Sequence, residues 1–199
     1  QTLGQALSAA RKAIAPKLVA EAERQLNDLG FLQSLFDVEI IDPSELGQAE
    51  TTVSRTGFDQ IEFLFAPNPG EPFKPLKAIA SSGEMARVML ALKTVLSTQD
   101  SIPVLVFDEV DSNVGGETAA VVGEKMKQIG ANRQVLCITH LAPVAAAGHR
   151  HYLVSKEVVE GRTLTRVTQL DGESRVKELT RMLGGGGAAA RQHAEELLS

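Results

Sequence analysis

The sequence predicts an α/β fold in which a mainly parallel sheet is flanked by helices and joined to a section of antiparallel strands. Apolar runs at 104–107 and 135–138 alternate with helical patterns at 84–96 and 117–129. This alternation is typical of parallel strands that helices cover on both faces. At 36–40 and at 61–65, by contrast, apolar residues recur at every second position, which indicates half-buried antiparallel strands.

Composition narrows the class of protein. With 199 residues, 43% hydrophobic and 23% charged, the chain can form one compact globular domain with an attachment. A net charge of −5 gives no overall attraction to nucleic acid, so contact with DNA would depend on local patches or other segments. The single cysteine, Cys137, lies in an apolar run, which predicts an unreactive thiol and fits a reducing compartment. Neither an 18-residue apolar run nor a secretory signal occurs, so we expect a cytoplasmic protein with no membrane partner.

The first predicted element is a helix over residues 1–29. Its apolar residues share one face, at Leu3, Leu7, Ala10, Ile14, Leu18, Ala22, Leu26 and Leu29. Pro16 predicts a kink or the first turn of a second helix, and Gly30 predicts a C-cap. On periodicity alone, a helix docked on the domain is favoured over a coiled coil.

Strands and loops follow. Alternating apolar residues predict antiparallel strands at 36–40 and 61–65, with a Thr- and Val-containing stretch, 51–56, between them. Gly57 is a predicted turn residue, and residues 68–72 form a predicted rigid loop. Later elements are strands beginning at Tyr152 and spanning 163–170, then two helices separated by a glycine run, 184–187, that predicts a hinge.

Two adjacent carboxylates, Asp108 and Glu109, follow the apolar strand 104–107. In open α/β sheets, ligands bind outside the carboxyl ends of the strands. An aspartate there can hold Mg²⁺, and the next glutamate can polarise an attacking water. An acidic helix cap after a buried strand would look the same, and the pair alone does not separate the two interpretations.

Three more polar segments accompany this pair. The segment Ser81–Glu84 precedes a helix, where small residues leave backbone N–H groups free for an anion, although an ordinary serine N-cap has the same pattern. His140 follows the strand 135–138 and is predicted to lie at the same crevice as Glu109. A polar loop, 110–116, follows the carboxylates. Taken singly, His140 is explained as an ordinary loop histidine, and the loop 110–116 as an ordinary turn rich in polar residues and glycine.

The order of these parts resembles the C-terminal lobe of an ATP-binding-cassette ATPase head. The resemblance implies that Ser81, Ser82, Gly83 and Glu84 form the signature motif. It implies further that Asp108 and Glu109 are the Walker B pair, that Asp111 lies in the D-loop and that His140 is the switch histidine. ATP and Mg²⁺ are the cofactors that such a head uses.

A phosphate-binding loop of the form G-x-x-x-x-G-K-[ST] does not occur, and the glycine run 184–187 lacks the lysine that would follow. In transporters both halves of the cassette lie close together on one chain, whereas in SMC-like proteins a long coiled coil separates them. A helix at the start without a P-loop fits the second arrangement. We therefore expect residues 1–30 to be the end of a returning coiled-coil arm, which reverses the preference stated above, and 31–199 to be the lobe. The chain alone is expected to be inactive.

Further stretches resemble the RecN family, bacterial SMC-like DNA repair proteins. They are residues 63–72, 75–76, 79–87, 107–111, 115–116, 134–146, 155–156, 175–176 and 181–185. The resemblance implies double-strand-break repair by recombination, with ATP-driven engagement of two heads. The implied partners are the N-terminal P-loop lobe, a second head of a homodimer and DNA, which the full-length protein would contact. The implied location is the bacterial nucleoid.

The family resemblance also implies a role for each site residue. Ser81 and Gly83 would cap ATP that is held by the other head, and Asp108 would contribute to the Mg²⁺ site. Glu109 would position the water. His140 would contact the γ-phosphate, and Asp111 would link the two ATP sites of the engaged heads.

One residue departs from the family pattern: Ser82 stands where a glycine is usual. Its CH₂OH group would either crowd a phosphate or donate another hydrogen bond to it. This leaves open an ATP-binding clamp, or dimerisation module, in which hydrolysis is incidental or absent. A transporter or another SMC-like subunit is disfavoured by the stretches 68–72 and 175–185.

Overall fold

The computed structural model describes residues 2–41 and 56–199. The chain divides after residue 100 into two compact units. The limit expected at residue 30, between an arm and a lobe, stays a prediction. The predicted stretch 51–56 lies, except for Thr56, outside the described residues.

The described part of the first unit contains two α-helices and a small sheet. Its elements are α1 (Thr2–Asp28), β1 (Leu35–Ile41), β2 (Gln60–Ala66), β3 (Lys74–Pro75), a 3₁₀ turn (Leu76–Ala78) and α2 (Ser82–Val95). β2 lies between β1 and β3 and pairs antiparallel with both. The register places Phe36 opposite Phe65 and Val38 opposite Phe63, so the predicted alternating strands are confirmed.

The helix α1 continues through Pro16 as one element, without the start of a second helix. Gly30 closes it as predicted: its φ is 91°, and Phe31 N–H donates to Leu26 O at 3.1 Å, the pattern of a glycine C-cap. The two halves of α1 differ in burial. Ala22 and Leu26 are buried, whereas Leu3, Leu7 and Ile14 are exposed.

The exposed half of α1 is held by an ion pair to the turn before β2. Ser8 Oγ donates to Asp59 Oδ1 at 2.6 Å, and Arg11 Nη1 donates to Asp59 Oδ2 at 2.9 Å. Burial acts to raise the pKa of Asp59, but the hydrogen bonds from Ser8 and Arg11 and the charge of Arg11 outweigh it, so that pKa lies below its ordinary value. The carboxylate therefore stays ionised and anchors this part of α1.

The second unit contains four helices and two pairs of strands. In order they are β4 (Val104–Phe107), α3 (Gly116–Gly130), β5 (Gln134–Cys137), α4 (Ala142–Ala147), β6 (His151–Val159), β7 (Arg162–Leu170), α5 (Gly172–Met182) and α6 (Ala188–Leu198). β4 and β5 are parallel, and β6 and β7 form an antiparallel hairpin. Ala142, Ala145, Leu179 and Ala194 join α4, α5 and α6 in one apolar cluster.

The parallel pair differs from the prediction in its burial. Leu105 and Phe107 are buried, but Val106 is 63% exposed and Ile138 62% exposed. The apolar runs therefore have one covered and one open face, because the helices of the described residues cover only one side of these strands. The strand that begins at Tyr152 pairs with β7 and does not extend the parallel pair.

The glycine run forms a turn that caps α5, and its predicted role as a flexible hinge stays a prediction. Gly184 and Gly185 have φ near 100°, and Gly185 N–H donates to Thr180 O at 3.1 Å, so the run closes α5. Arg191 of α6 binds Glu173 of α5 with both of its terminal nitrogens. The apolar cluster that the two helices share, more than this exposed ion pair, holds them together.

Helices α3 and α4 approach closely at Gly123. A Cβ atom there would lie 2.9 Å from Ala147 Cβ and 3.1 Å from Pro143 O. We expect Gly123→Ala to lower the free energy of unfolding by about 1–2 kcal/mol, because overpacking costs about 1–3 kcal/mol and alanine returns at most about 1 kcal/mol of helix propensity.

Gly130→Ala is the matched control, because a Cβ at Gly130 meets no atom within 4 Å. It should leave stability equal or slightly higher. Urea unfolding of both variants measures the difference, and a Gly123→Ala chain as stable as Gly130→Ala would contradict a close approach of α3 and α4.

Across the described residues, the structure has no helix that combines the length and the hydrophobicity needed to cross a bilayer.

Candidate functional site

The end of β4 presents two carboxylates to solvent. Asp108 and Glu109 directly follow the buried Phe107, and both are exposed. Glu109 has φ 58°, in the left-handed region that L-residues other than Asn, Asp and Gly seldom enter. Its carbonyl accepts a hydrogen bond from Ser112 N–H at 3.0 Å, which closes the turn. Strained backbone of this kind concentrates at functional sites, so the turn at Glu109 is a candidate.

The strand β5 brings a second polar segment to the same edge. Parallel pairing places Cys137 opposite Phe107, and Ile138 N–H donates to Phe107 O at 2.9 Å. Because parallel strands end at the same edge of a sheet, residues 108–111 and 139–140 come together there. His140 and the acidic pair therefore lie at the same edge, and a crevice shared by them stays a prediction.

Asp111 connects the two segments. Its side chain is 2% exposed, and its Oδ2 accepts hydrogen bonds from the Thr139 hydroxyl and from His140 N–H, the latter at 3.0 Å. The same oxygen lies 3.3 Å from His140 Nδ1. Leu141 N–H donates to Thr139 Oγ1 at 3.0 Å, which orders the start of α4. One buried carboxylate thus holds the turn after β4 to the loop after β5.

Cys137 lies between these groups as a free thiol. Burial, followed by the charges of Asp111 and Asp108, raises the pKa of Cys137 to about 12. The thiol is therefore protonated at neutral pH, which supports the expectation that it is unreactive.

Ser81, Ser82, Gly83 and Glu84 lie in the first unit, at the start of α2. Ser81 is the N-cap: its Oγ accepts a hydrogen bond from Glu84 N–H at 3.3 Å, and Glu84 stands in the first turn. This is the ordinary capping arrangement that the sequence left open as an alternative. It is compatible with an anion site, since a hydroxyl that accepts one hydrogen bond keeps its own hydrogen to donate. Ser82 is exposed and Gly83 is buried.

The four residues Asp108, Glu109, Asp111 and His140 share one edge of the second unit, as the contacts above show. The signature segment belongs to the other unit. The roles assigned to all eight residues stay predictions.

Arg175 is a supporting residue that the sequence did not single out as part of a site. Its Nη2 donates to the carbonyls of Ala145, Ala146 and Gly148 at 3.3, 2.9 and 2.5 Å, and thereby caps the carboxyl end of α4. Burial lowers the pKa of Arg175. A six-residue helix needs such an external partner for its free carbonyls, but which side chain supplies it depends on the packing of α5.

The fit for a divalent metal depends mainly on Asp108. Within residues 2–41 and 56–199, no cluster of three or more His, Cys, Asp or Glu side chains could hold a metal ion. Mg²⁺ prefers oxygen ligands and commonly takes only one or two carboxylates, with water and phosphate oxygens completing its shell. An exposed carboxylate at the end of β4 fits that pattern.

Comparison with known proteins identifies relatives of this chain among the curated proteins, although no family model matches it. It is 45% identical to the DNA repair protein RecN of Treponema pallidum, over 98% of this chain and 34% of the relative. It is 40% identical to RecN of Deinococcus radiodurans, over 99% and 34% respectively. The chain thus spans about a third of the length of the curated relatives it matches.

Solved structures show the same fold. An Smc head domain with a coiled coil and joint from Pyrococcus yayanosii matches with a TM-score of 0.57 and 19% identity, over 92% of this chain and 29% of that one. An SmcHead bound to the C-winged helix domain of ScpA matches with a TM-score of 0.54 and 19% identity, over 78% and 43%. The predicted fold class, a lobe of an SMC-type head, is confirmed.

Proposed function

The chain is a relative of the RecN proteins, about one third of whose length it spans, and on that premise we propose that it is the C-terminal lobe of an ATPase head in a DNA repair protein. The observation that carries the proposal is the edge where β4 and β5 end. An exposed carboxylate pair and a histidine loop are joined there by one buried aspartate. The complete protein would act on DNA double-strand breaks in the bacterial cytoplasm, at the nucleoid.

Hydrolysis requires a carboxylate beside the attacking water, and we propose that Glu109 supplies it. We assign Asp108 to the Mg²⁺ that accompanies ATP, and His140 to a γ-phosphate oxygen. Mg²⁺ would neutralise charge that develops on the phosphates. These residues orient and stabilise charge and form no covalent bond, so a half-site has little activity of its own.

The signature segment supplies the second half of the proposed site. Ser81 can donate its hydroxyl hydrogen, and the first N–H groups of α2 point towards the helix start, where an anion is favoured. We propose that Ser81, with Ser82, Gly83 and Glu84, meets ATP held by the second head of a homodimer. Hydrolysis would then separate the two heads.

The open face of β4 and β5 supports a further partner, the protein's own N-terminal lobe. Val104, Val106, Leu136 and Ile138 are exposed on neighbouring strands. A cavity of about 1180 Å³ borders β5 and β6, lined by residues that include Leu136, Ile138, Tyr152 and Val154. Contiguous apolar surface of this kind marks an interface. We propose that the lobe with the P-loop covers it.

The first half of α1 supports the proposal that residues 1–30 end a coiled-coil arm. Leu3, Leu7 and Ile14 recur at intervals of four and seven residues and are exposed. An exposed apolar stripe on the returning helix is what the outgoing helix of such an arm would pack against. The second half of α1 is buried against its own unit, so the arm would join the lobe near Ala22.

The test is reconstitution of ATP hydrolysis. The chain alone should show no turnover above background and no micromolar ATP affinity by calorimetry, because it has no P-loop. Turnover should appear when the complementary lobe is added, and a lobe without its P-loop lysine is the control. Micromolar binding of ATP–Mg²⁺ by the chain alone would contradict the proposal.

A further inference from the structure

Three acidic residues follow β4, and one of them differs from the other two in being buried. Asp108 and Glu109 are exposed, whereas the side chain of Asp111 is 2% exposed. Burying a carboxylate is costly unless hydrogen bonds compensate it. The residue type at 111 is therefore explained by what its oxygens bind inside the unit.

The contacts of Asp111 converge on His140. Oδ2 accepts from the backbone N–H of His140 at 3.0 Å and lies 3.3 Å from Nδ1 of its ring. The Thr139 hydroxyl donates to the same oxygen and fixes the residue before. The backbone N–H of His140, the hydroxyl of Thr139 and the ring of His140 therefore all lie next to one oxygen atom, Oδ2 of Asp111.

A carboxylate oxygen can only accept a hydrogen bond, so its position 3.3 Å from Nδ1 favours a ring hydrogen on that nitrogen. The opposite nitrogen, Nε2, is then the one presented outwards, and the side chain of His140 is 69% exposed. A ring held in this way meets a phosphate with Nε2 and, when Nε2 is also protonated, donates to it.

We infer that Asp111 is a positioning residue that sets the orientation and the tautomer of His140, and that it acts on hydrolysis through that ring. The meeting of Nε2 with a phosphate rests on the function proposed above; the Nδ1–H tautomer does not. The inference differs from the role that the family resemblance implies for Asp111, a link between the two sites.

The tautomer is read directly from the ¹⁵N chemical shifts of the His140 ring in the 199-residue chain at alkaline pH, where imidazole rings are neutral. We expect the Nδ1–H form, and His140→Ala assigns the signals. Asp111→Ala removes the oxygen that faces Nδ1, so the ring should shift towards the Nε2–H form. Asp171→Ala, at the exposed cap of α5, is the matched control and should leave the tautomer of His140 unchanged. Finding Nε2–H in the unmodified chain overturns the inference without any variant.

A double-mutant cycle in the complete protein tests whether Asp111 acts on hydrolysis through the His140 ring. Asp111→Ala should lower kcat for ATP hydrolysis by about 10- to 100-fold, with KM nearly unchanged, because it removes a group that acts through the His140 ring. Combined with His140→Ala, it should add no further loss. Additive losses would mean that Asp111 makes its own contact and would overturn the inference. If His140→Ala leaves turnover unchanged, the proposed function fails, while the ¹⁵N shifts still decide the role of Asp111.

Discussion

Glu109→Gln in the complete protein should lower the rate of ATP hydrolysis by about 10²- to 10⁴-fold, the usual effect of losing a general base. Glutamine keeps the shape of the side chain but not its basic carboxylate. It also keeps the same left-handed backbone requirement at φ 58°, so the variant tests the carboxylate and not the strain. ATP binding should survive, because Asp108 is unchanged.

Turnover, ATP-dependent dimerisation and survival after double-strand breaks should be measured on the same variant. Glu117→Gln, which removes an exposed carboxylate from the first turn of α3, is the matched control and should behave as wild type. If the heads must cycle, Glu109→Gln should accumulate engaged heads and fail in repair. An ATP-binding clamp predicts instead that it repairs DNA as well as wild type. Near-normal turnover would exclude Glu109 as the catalytic carboxylate.

Ser81→Arg should abolish ATP-dependent engagement of two heads while each head still binds ATP. The signature segment is proposed to meet nucleotide that the other head holds, so a bulky cation at the start of α2 blocks the approach without altering the binding lobe. The structure adds a second effect, because Ser81 caps α2 through Glu84 N–H, and losing such a cap costs about 0.5–2 kcal/mol.

Ser81→Ala separates the two effects. It loses the cap, as Ser81→Arg does, but adds no bulk and no charge. Light scattering with a slowly hydrolysed ATP analogue should show engagement retained in part by Ser81→Ala and absent in Ser81→Arg, and thermal unfolding should show similar stability for both. A Ser81→Arg protein that dimerises normally would contradict the arrangement across the two heads.

Local patterns were sufficient to predict most elements. Alternation at Phe36, Val38 and Ile40 predicted β1 and its antiparallel partner, because side chains of a strand point to opposite faces in turn. Gly30 predicted the end of α1, since few residues other than glycine accept its φ of 91°. The glycines at 184 and 185 obey the same rule, but the sequence could not show that Arg191 of α6 binds Glu173 in the first turn of α5.

By itself, the sequence determined the order of the parts. A helix start with small residues comes first, then a strand followed by Asp108 and Glu109, a polar loop, and a second strand followed by His140. That order depends only on residues close together along the chain. Only the tertiary structure decided that Asp111 is buried and holds Thr139, 28 residues away, because this contact depends on the register of β4 against β5. It also decided that Val106 and Ile138 are open to solvent, because the burial of a strand face is set by what packs on it and not by the residues it carries.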